Sequence, residues 1–277
     1  MDKLTKNIKL LVLDLDGTLT NEKKEITPRT KATLMKLQEQ GIKLVLASGR
    51  PTYGVVPLAE ELDMANYGGY ILSYNGGTII NCQTKENLHQ SSLEPKYIPE
   101  LYDIAKKGGM EILSYQDEFI VSEDVNNQYV QYESMLTKMQ VKAVDCFKAA
   151  LVKDVSKCII TGNPDELALM EKEMQEIYDG RMSIYRSEKF YLEVNPMGID
   201  KANSLRMLLE KLNMTEENMA ACGDGYNDLT MIQLAGLGVA MANAQDSVKE
   251  AAQYITTSNE EDGVADFVEK YLLLQAN

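Results

Sequence analysis

The sequence predicts an α/β fold built on a parallel sheet, with an α+β domain inserted into it. Three observations carry this prediction. The run Ile8 to Leu13 is almost continuously apolar and ends in acids, as a strand buried on both faces does. Strand and helix signals then alternate to about residue 83, and again from about residue 195. Between them the rhythm changes to helix, strand, strand. At about 150 residues per domain, 277 residues allow a little under two domains. The expected division is a discontinuous core of residues 1–83 and 195–277 around an insertion of residues 84–194.

Each element has a local reason. Thr27-Pro28 supplies an N-cap and a first-turn proline for a helix to about Gln40, where Gly41 ends it. Ile42 to Ala47 reads as a second buried strand, which completes a βαβ unit with a right-handed crossover. A helix over about Thr52 to Asp63, a strand at Gly69 to Ser73 and a hairpin through Asn75-Gly76-Gly77 extend the pattern. In the insertion, Pro95 to Lys107, Met110 to Tyr115 and Glu118 to Ser122 form one helix, strand, strand run. Pro164 to Tyr178, Arg181 to Arg186 and Phe190 to Val194 form another, its helix opened by the cap Asn163 and by Pro164. From Asp200 a helix runs to about Asn213, followed by a strand at Asn218 to Cys222 and a helix from about Asn227 to Ala235.

Composition removes several classes of function. With 28 basic against 42 acidic residues the net charge is −14, a field that repels phosphate backbones and anionic headgroups, so nucleic acid is not an expected partner. No stretch approaches about 18 consecutive apolar residues, and the charged N-terminus does not read as a leader. No membrane is expected, and the cytoplasm is the expected compartment. Cys82, Cys146, Cys158 and Cys222 are widely spaced, without a CxxC pair, and read as free thiols. The single histidine, His89, lies in a polar stretch without a nucleophile motif, so acid–base chemistry falls to carboxylates or lysine.

Four segments carry chemistry. Asp14-Leu15-Asp16-Gly17-Thr18 sets two carboxylates at the C-terminal end of the first strand, the sheet edge where α/β proteins bind ligands. Two acids there repel one another unless a cation or a proton is shared between them, or the acids cap backbone amides at an ordinary strand-end turn. Gly223-Asp224-Gly225-Tyr226-Asn227-Asp228 follows another strand and brings Asp224 to the same edge. Converging carboxylates in a chain poor in thiols and imidazole select a hard cation, Mg²⁺ best of all when phosphate completes its shell. The bland reading is an Asp/Asn-rich turn that caps the next helix. This is not a P-loop, because no Gly-Lys-Ser/Thr follows. Ala47-Ser48-Gly49-Arg50-Pro51 leaves the second strand for a helix, where a hydroxyl and backbone amides can hold phosphate oxygens, or where Ser48 is simply a cap. Lys201 starts a helix, where a cation opposes the helix dipole and suggests an anionic neighbour.

In this order, DLDGT, the serine string, the lysine and GDGYND resemble the haloacid dehalogenase superfamily, specifically its Cof-type phosphatases with a class IIB cap. The resemblance extends from Leu10 to about Val268 and includes Ser73-Tyr74-Asn75-Gly76-Gly77, Gly238 to Ala244 and Ser258 to Val264. One departure is Ala202 after Lys201, where this subfamily leads one to expect glycine. The resemblance implies a Rossmann-like core with a parallel sheet and an inserted α+β cap that selects the substrate.

It also implies roles. Asp14 attacks phosphorus and becomes an aspartyl phosphate; Asp16 is the acid for the leaving oxygen and then the base for water. Mg²⁺ is held by the Asp14 carboxylate, the Asp16 backbone carbonyl and Asp224, with Asp228 supporting them and orienting Lys201. Ser48, Gly49, Lys201 and Asn227 cradle the phosphoryl oxygens, and Arg50, Asn75 and Gly76 touch the leaving group. The implied activity is Mg²⁺-dependent hydrolysis of a small phosphorylated metabolite, foremost a sugar phosphate. The rivals are a phosphomutase of the same superfamily, which needs a basic cap for a second phosphate, and a non-catalytic sugar-phosphate sensor. The oligomeric state is not written in the sequence.

Overall fold

All four residues of the first strand, β1 (Leu10–Leu13), are fully buried, as an unbroken apolar run requires inside a parallel sheet. The computed structural model describes residues 7–273; Met1–Lys6, where no leader is expected, lie outside them. After β1 come β2 (Lys43–Ala47), β3 (Tyr70–Ser73), β4 (Thr78–Asn81) and β5 (Asn87–Gln90). Six strands follow in the insertion: β6 (Glu111–Gln116), β7 (Phe119–Ser122), β8 (Gln140–Ala143), β9 (Cys158–Thr161), β10 (Met182–Glu188) and β11 (Tyr191–Pro196). The chain then adds β12 (Met219–Gly223), β13 (Leu237–Ala240) and β14 (Tyr254–Ile255).

One unit runs up to His89 and resumes at Asp200; the other is Gln90–Ile199. These boundaries lie later than the expected 83/84 and 194/195. The first shifts because β5 still joins the first sheet, and the second because β11 runs on to Pro196.

In the first unit the order is β14-β13-β12-β1-β2-β3-β4-β5. Six neighbouring strands, β14 to β3, are parallel, while β4 returns antiparallel to β3, so the sheet is mixed rather than wholly parallel. The return is made by the turn Tyr74–Gly76, where Tyr74 and Asn75 adopt φ of 53° and 54° and Gly76 a φ of 103°. The helix Pro28–Glu39 has Thr27 as its cap, accepting from the Thr30 N–H. In the same way Asp200 caps the helix Lys201–Lys211 by accepting from the Asn203 N–H at 2.6 Å.

The second unit has its own sheet, ordered β10-β11-β9-β6-β7-β8, and its own apolar core around Ile112, Ile160 and Leu192. Its hairpins β6–β7 and β10–β11 match the two strand pairs read in the sequence. Asn163 caps the helix Pro164–Ile177 by accepting from the Asp165 and Glu166 N–H groups. Among the described residues no helix is long and apolar enough to cross a membrane. All four cysteines are free, and only Cys146 is exposed.

Candidate active site

Neighbouring strands β1 and β12 end side by side, with Leu13 registered against Cys222, so the residues that follow them meet at one edge. Asp14 continues the pairing by donating its N–H to the Cys222 carbonyl at 3.1 Å, and it is 6% exposed. Three residues on, the chain turns at Gly17 with a φ of 86°. A Cβ there would overlap the Asp224 carboxylate, so glycine is what lets the β1 loop close on the β12 loop. Thr18 Oγ1 then donates to Asp224 Oδ1 at 2.8 Å, and Asn243 Nδ2 donates to the Gly17 carbonyl at 2.8 Å.

Lys201 is fully buried and places its Nζ 2.6 Å from Asp14 Oδ1 and 2.6 Å from Asp228 Oδ1. The other Asp228 oxygen accepts from the N–H groups of Asp224 and Gly225, both at 2.9 Å. Asp228 therefore fixes both the ammonium and the loop that carries Asp224. Asp14, Asp224 and Asp228 each offer one carboxylate oxygen within 4.8 Å of the others.

Asp16 points elsewhere. Arg50 grips its carboxylate through Nε at 2.7 Å and Nη2 at 2.6 Å, and Lys24 adds an ion pair at 2.7 Å. Arg50, expected at the leaving group, is thus bound to the second acid of DLDGT. The neighbouring Ser48 is buried at the end of β2, and its Oγ accepts from the Arg50 N–H at 3.1 Å. Its carbonyl accepts from the Asn75 N–H at 2.9 Å, and Asn75 Oδ1 accepts from Asn227 Nδ2 at 3.1 Å. A Cβ on Gly49 would lie 3.2 Å from the Asn75 amide, so Ser48, Gly49, Asn75 and Asn227 are brought into one group. Gly76 is buried instead, and its carbonyl accepts from Ser204 Oγ at 2.9 Å, which fastens the β3–β4 turn to the helix Lys201–Lys211.

The electrostatics follow from this placement. Burial, reinforced by the Asp228 charge, pushes the Asp14 carboxyl well above the ordinary carboxylate range against the pull of Lys201. Burial and Asp228 likewise push Asp224 up to about 6, against the Thr18 hydrogen bond and Lys201. Asp16 is lowered: burial would raise it, but the Arg50 and Lys24 charges outweigh that. Lys201 is raised, since its two carboxylate partners overcome its burial. Three carboxylates against one ammonium leave a negative excess on hard oxygen donors, which fits a divalent cation such as Mg²⁺. Lys24 escaped the sequence reading, because a lysine in a polar loop carries no local signal, and Asn243, although inside the string Gly238 to Ala244, was given no role there. Thr18, by contrast, stands inside the DLDGT string.

The chain is similar over nearly its whole length to proteins of one family. The family model described as haloacid dehalogenase-like hydrolase matches residues 11–268. YxeH of Bacillus subtilis, named as a phosphatase by inference, is 32% identical over 96% of this chain and 98% of its own length. Also from Bacillus subtilis, the 5-amino-6-(5-phospho-D-ribitylamino)uracil phosphatase YcsE is 30% identical over 96% of this chain and 97% of its own. A crystal structure of a haloacid dehalogenase-like hydrolase from Bacteroides thetaiotaomicron superposes with a TM-score of 0.91 at 52% identity, covering 95% of this chain and 99% of that one.

Proposed function

We infer the reaction from membership: the chain belongs to the haloacid dehalogenase-like hydrolases, as a Cof-type phosphatase, and it hydrolyses small phosphorylated metabolites, sugar phosphates foremost, with Mg²⁺ and through an aspartyl phosphate on Asp14. The observation that carries this reading is the buried Lys201 held between Asp14 and Asp228, beside a third carboxylate on Asp224. A lysine so fixed holds a nucleophilic carboxylate in place and adds positive charge where phosphoryl oxygens arrive.

In the first half-reaction an Asp14 oxygen bonds to phosphorus while the bond from phosphorus to the leaving oxygen breaks, and Asp16 gives that oxygen a proton. In the second, Asp16 takes a proton from water as the water oxygen bonds to phosphorus, and the bond to Asp14 breaks, releasing inorganic phosphate. The Arg50 and Lys24 grip keeps Asp16 ionised, the state a base needs. Acting as the acid therefore requires Asp16 to leave Arg50 when the ester binds. Asp14, Asp224 and Asp228, with the Asp16 backbone carbonyl, are the groups that would hold Mg²⁺, which when bound offsets the charge of the transferring phosphoryl group. Ser48, Gly49 and Asn227, which lie in one group with Asn75, would donate to its oxygens. The relative named for a ribitylamino-uracil phosphate, an ester of a hydroxylated chain, supports a polyol or sugar ester as substrate.

Phosphate release from a panel of sugar phosphates, nucleotides and cofactor phosphates, with Mg²⁺ and with chelator, tests this. Chelator-sensitive release that falls by about 10⁴-fold or more in Asp14→Asn is expected. No release from any ester would leave the mutase and the sensor.

A further inference from the structure

Two stretches of the sequence, Gly238 to Ala244 and Ser258 to Val264, carry none of the groups assigned to the reaction, yet both reach the turn that follows β1. They run together, since the Ala242 N–H donates to the Thr257 carbonyl at 3.3 Å and the Asn259 N–H to Asn243 Oδ1 at 3.1 Å. Each then sends one side-chain amide to the turn. Asn243 Nδ2 donates to the Gly17 carbonyl at 2.8 Å, and Asn259 Nδ2 to the Thr20 carbonyl at 2.9 Å. The Asp14 and Leu15 carbonyls are answered inside the turn by the Leu19 and Thr20 N–H groups, so Gly17 and Thr20 are where outside groups take hold. The first stretch also holds the second acidic loop: the Met241 and Gln245 N–H groups donate to the Gly223 and Asp224 carbonyls at 3.1 and 2.9 Å.

Asn243 is exposed and Asn259 half-buried, so water could answer both carbonyls at little cost in stability. What an amide adds over water is a fixed position. The Asn243 oxygen is occupied by the Asn259 N–H, which turns its NH2 group towards Gly17. We propose that Asn243 and Asn259 are positioning residues that hold the turn of residues 14–20 at a set distance from Asp224. Asn243 joins the two loops most directly, because the short segment 241–245 holds Gly17 through a side chain and Asp224 through its backbone. The proposal rests on the phosphatase reading for its chemistry. Attack by Asp14 and proton transfer by Asp16 demand that both acids keep their places relative to phosphorus, and a misplacement of about 1 Å can cost about a hundred-fold in rate.

Asn243→Ala and Asn259→Ala test it on p-nitrophenyl phosphate and in thermal melts. In each, kcat is expected to fall about ten-fold or more while KM stays within about two-fold. The melting temperature should stay close to that of the wild type, because neither side chain belongs to the core. The double variant should lose less than the product of the two single losses, since both amides act on one turn. Melts repeated across Mg²⁺ concentrations should need about ten-fold more of the ion in Asn243→Ala, as the Asp16 carbonyl and Asp224 lose their fixed spacing. An unchanged kcat in both variants overturns the proposal, and so does a loss of activity that only follows the loss of folded protein. Should alanine at position 243 prevent folding, Asn243→Asp, equal in shape and lacking only the donor to Gly17, is judged by the same kcat. If the wild type releases phosphate from no ester, the phosphatase reading has failed separately, and the Mg²⁺ titration decides. A midpoint raised about ten-fold in Asn243→Ala then supports the positioning role, and an unchanged midpoint, or no response to Mg²⁺ in either protein, overturns it.

Discussion

Lys201 answers two buried carboxylates with one ammonium, and that imbalance makes it the residue whose removal costs most. Lys201→Met would leave Asp14 and Asp228 buried without their cation, and breaking a buried pair in this way costs about 3–5 kcal/mol. Urea denaturation in chelator should show that loss, and adding Asp228→Asn should recover part of it; a variant as stable as the wild type would mean that the acids are protonated or solvated. Arg50 has a different residue-scale effect. Its charge, with that of Lys24, holds Asp16 below the ordinary range although burial pushes the other way. In Arg50→Ala the carboxyl climbs, so if Asp16 gives a proton to the leaving oxygen, the alkaline limb of the kcat/KM profile moves to higher pH. A limb that stays in place would take the acid role away from Asp16.

At the scale of elements, glycines decide how closely the loops approach. Gly17→Ala would force a side chain into a φ of 86° and into the Asp224 carboxylate, at a cost of about 1–3 kcal/mol in strain. Its effect on Mg²⁺ is expected to exceed its effect on folding: the concentration that stabilises the protein in thermal melts should rise at least ten-fold, because Asp224 is displaced. An unchanged Mg²⁺ titration would separate Asp224 from the metal. The same scale explains what the sequence could show. Thr27, Asn163 and the apolar runs of β1 and β2 are local signals, and they end up as caps and buried strands. β9 is only Cys158–Thr161, too short for a periodicity to declare it, yet it pairs with both β6 and β11. The helix Gln128–Thr137 mixes polar and aromatic residues without a clear stripe and was not read either. In the site, Asp14, Ser48, Lys201 and Asp224 were legible because each follows a strand or starts a helix. The grip of Arg50 and Lys24 on Asp16 was not, since it depends on a loop in which Lys24 itself adopts a φ of 63°.

The whole molecule bears a net charge of −14, and its densest buried acids share one end of the sheet, so its stability depends on what neutralises them. Burial and Asp228 raise Asp224 to about 6, and Asp14 is raised from the same two causes. A carboxyl raised in the folded state binds its proton more tightly there than in the unfolded chain. Its stabilising contribution is complete below the unfolded value, about pH 4, and is lost as pH rises through the folded one. The metal-free protein should therefore lose stability from this cluster between about pH 4 and the folded pKa values. Mg²⁺ acts in the opposite direction, because its ligands must be deprotonated to bind it. A hundred-fold excess over Kd stabilises the folded state by about 2.7 kcal/mol, and Kd itself tightens as the acids ionise. At a fixed Mg²⁺ concentration the increase in melting temperature over the chelated protein is expected to be larger at pH 7 than at pH 5. An equal increase at both would mean that the cation binds away from Asp14 and Asp224, and that their raised values are answered by protons alone.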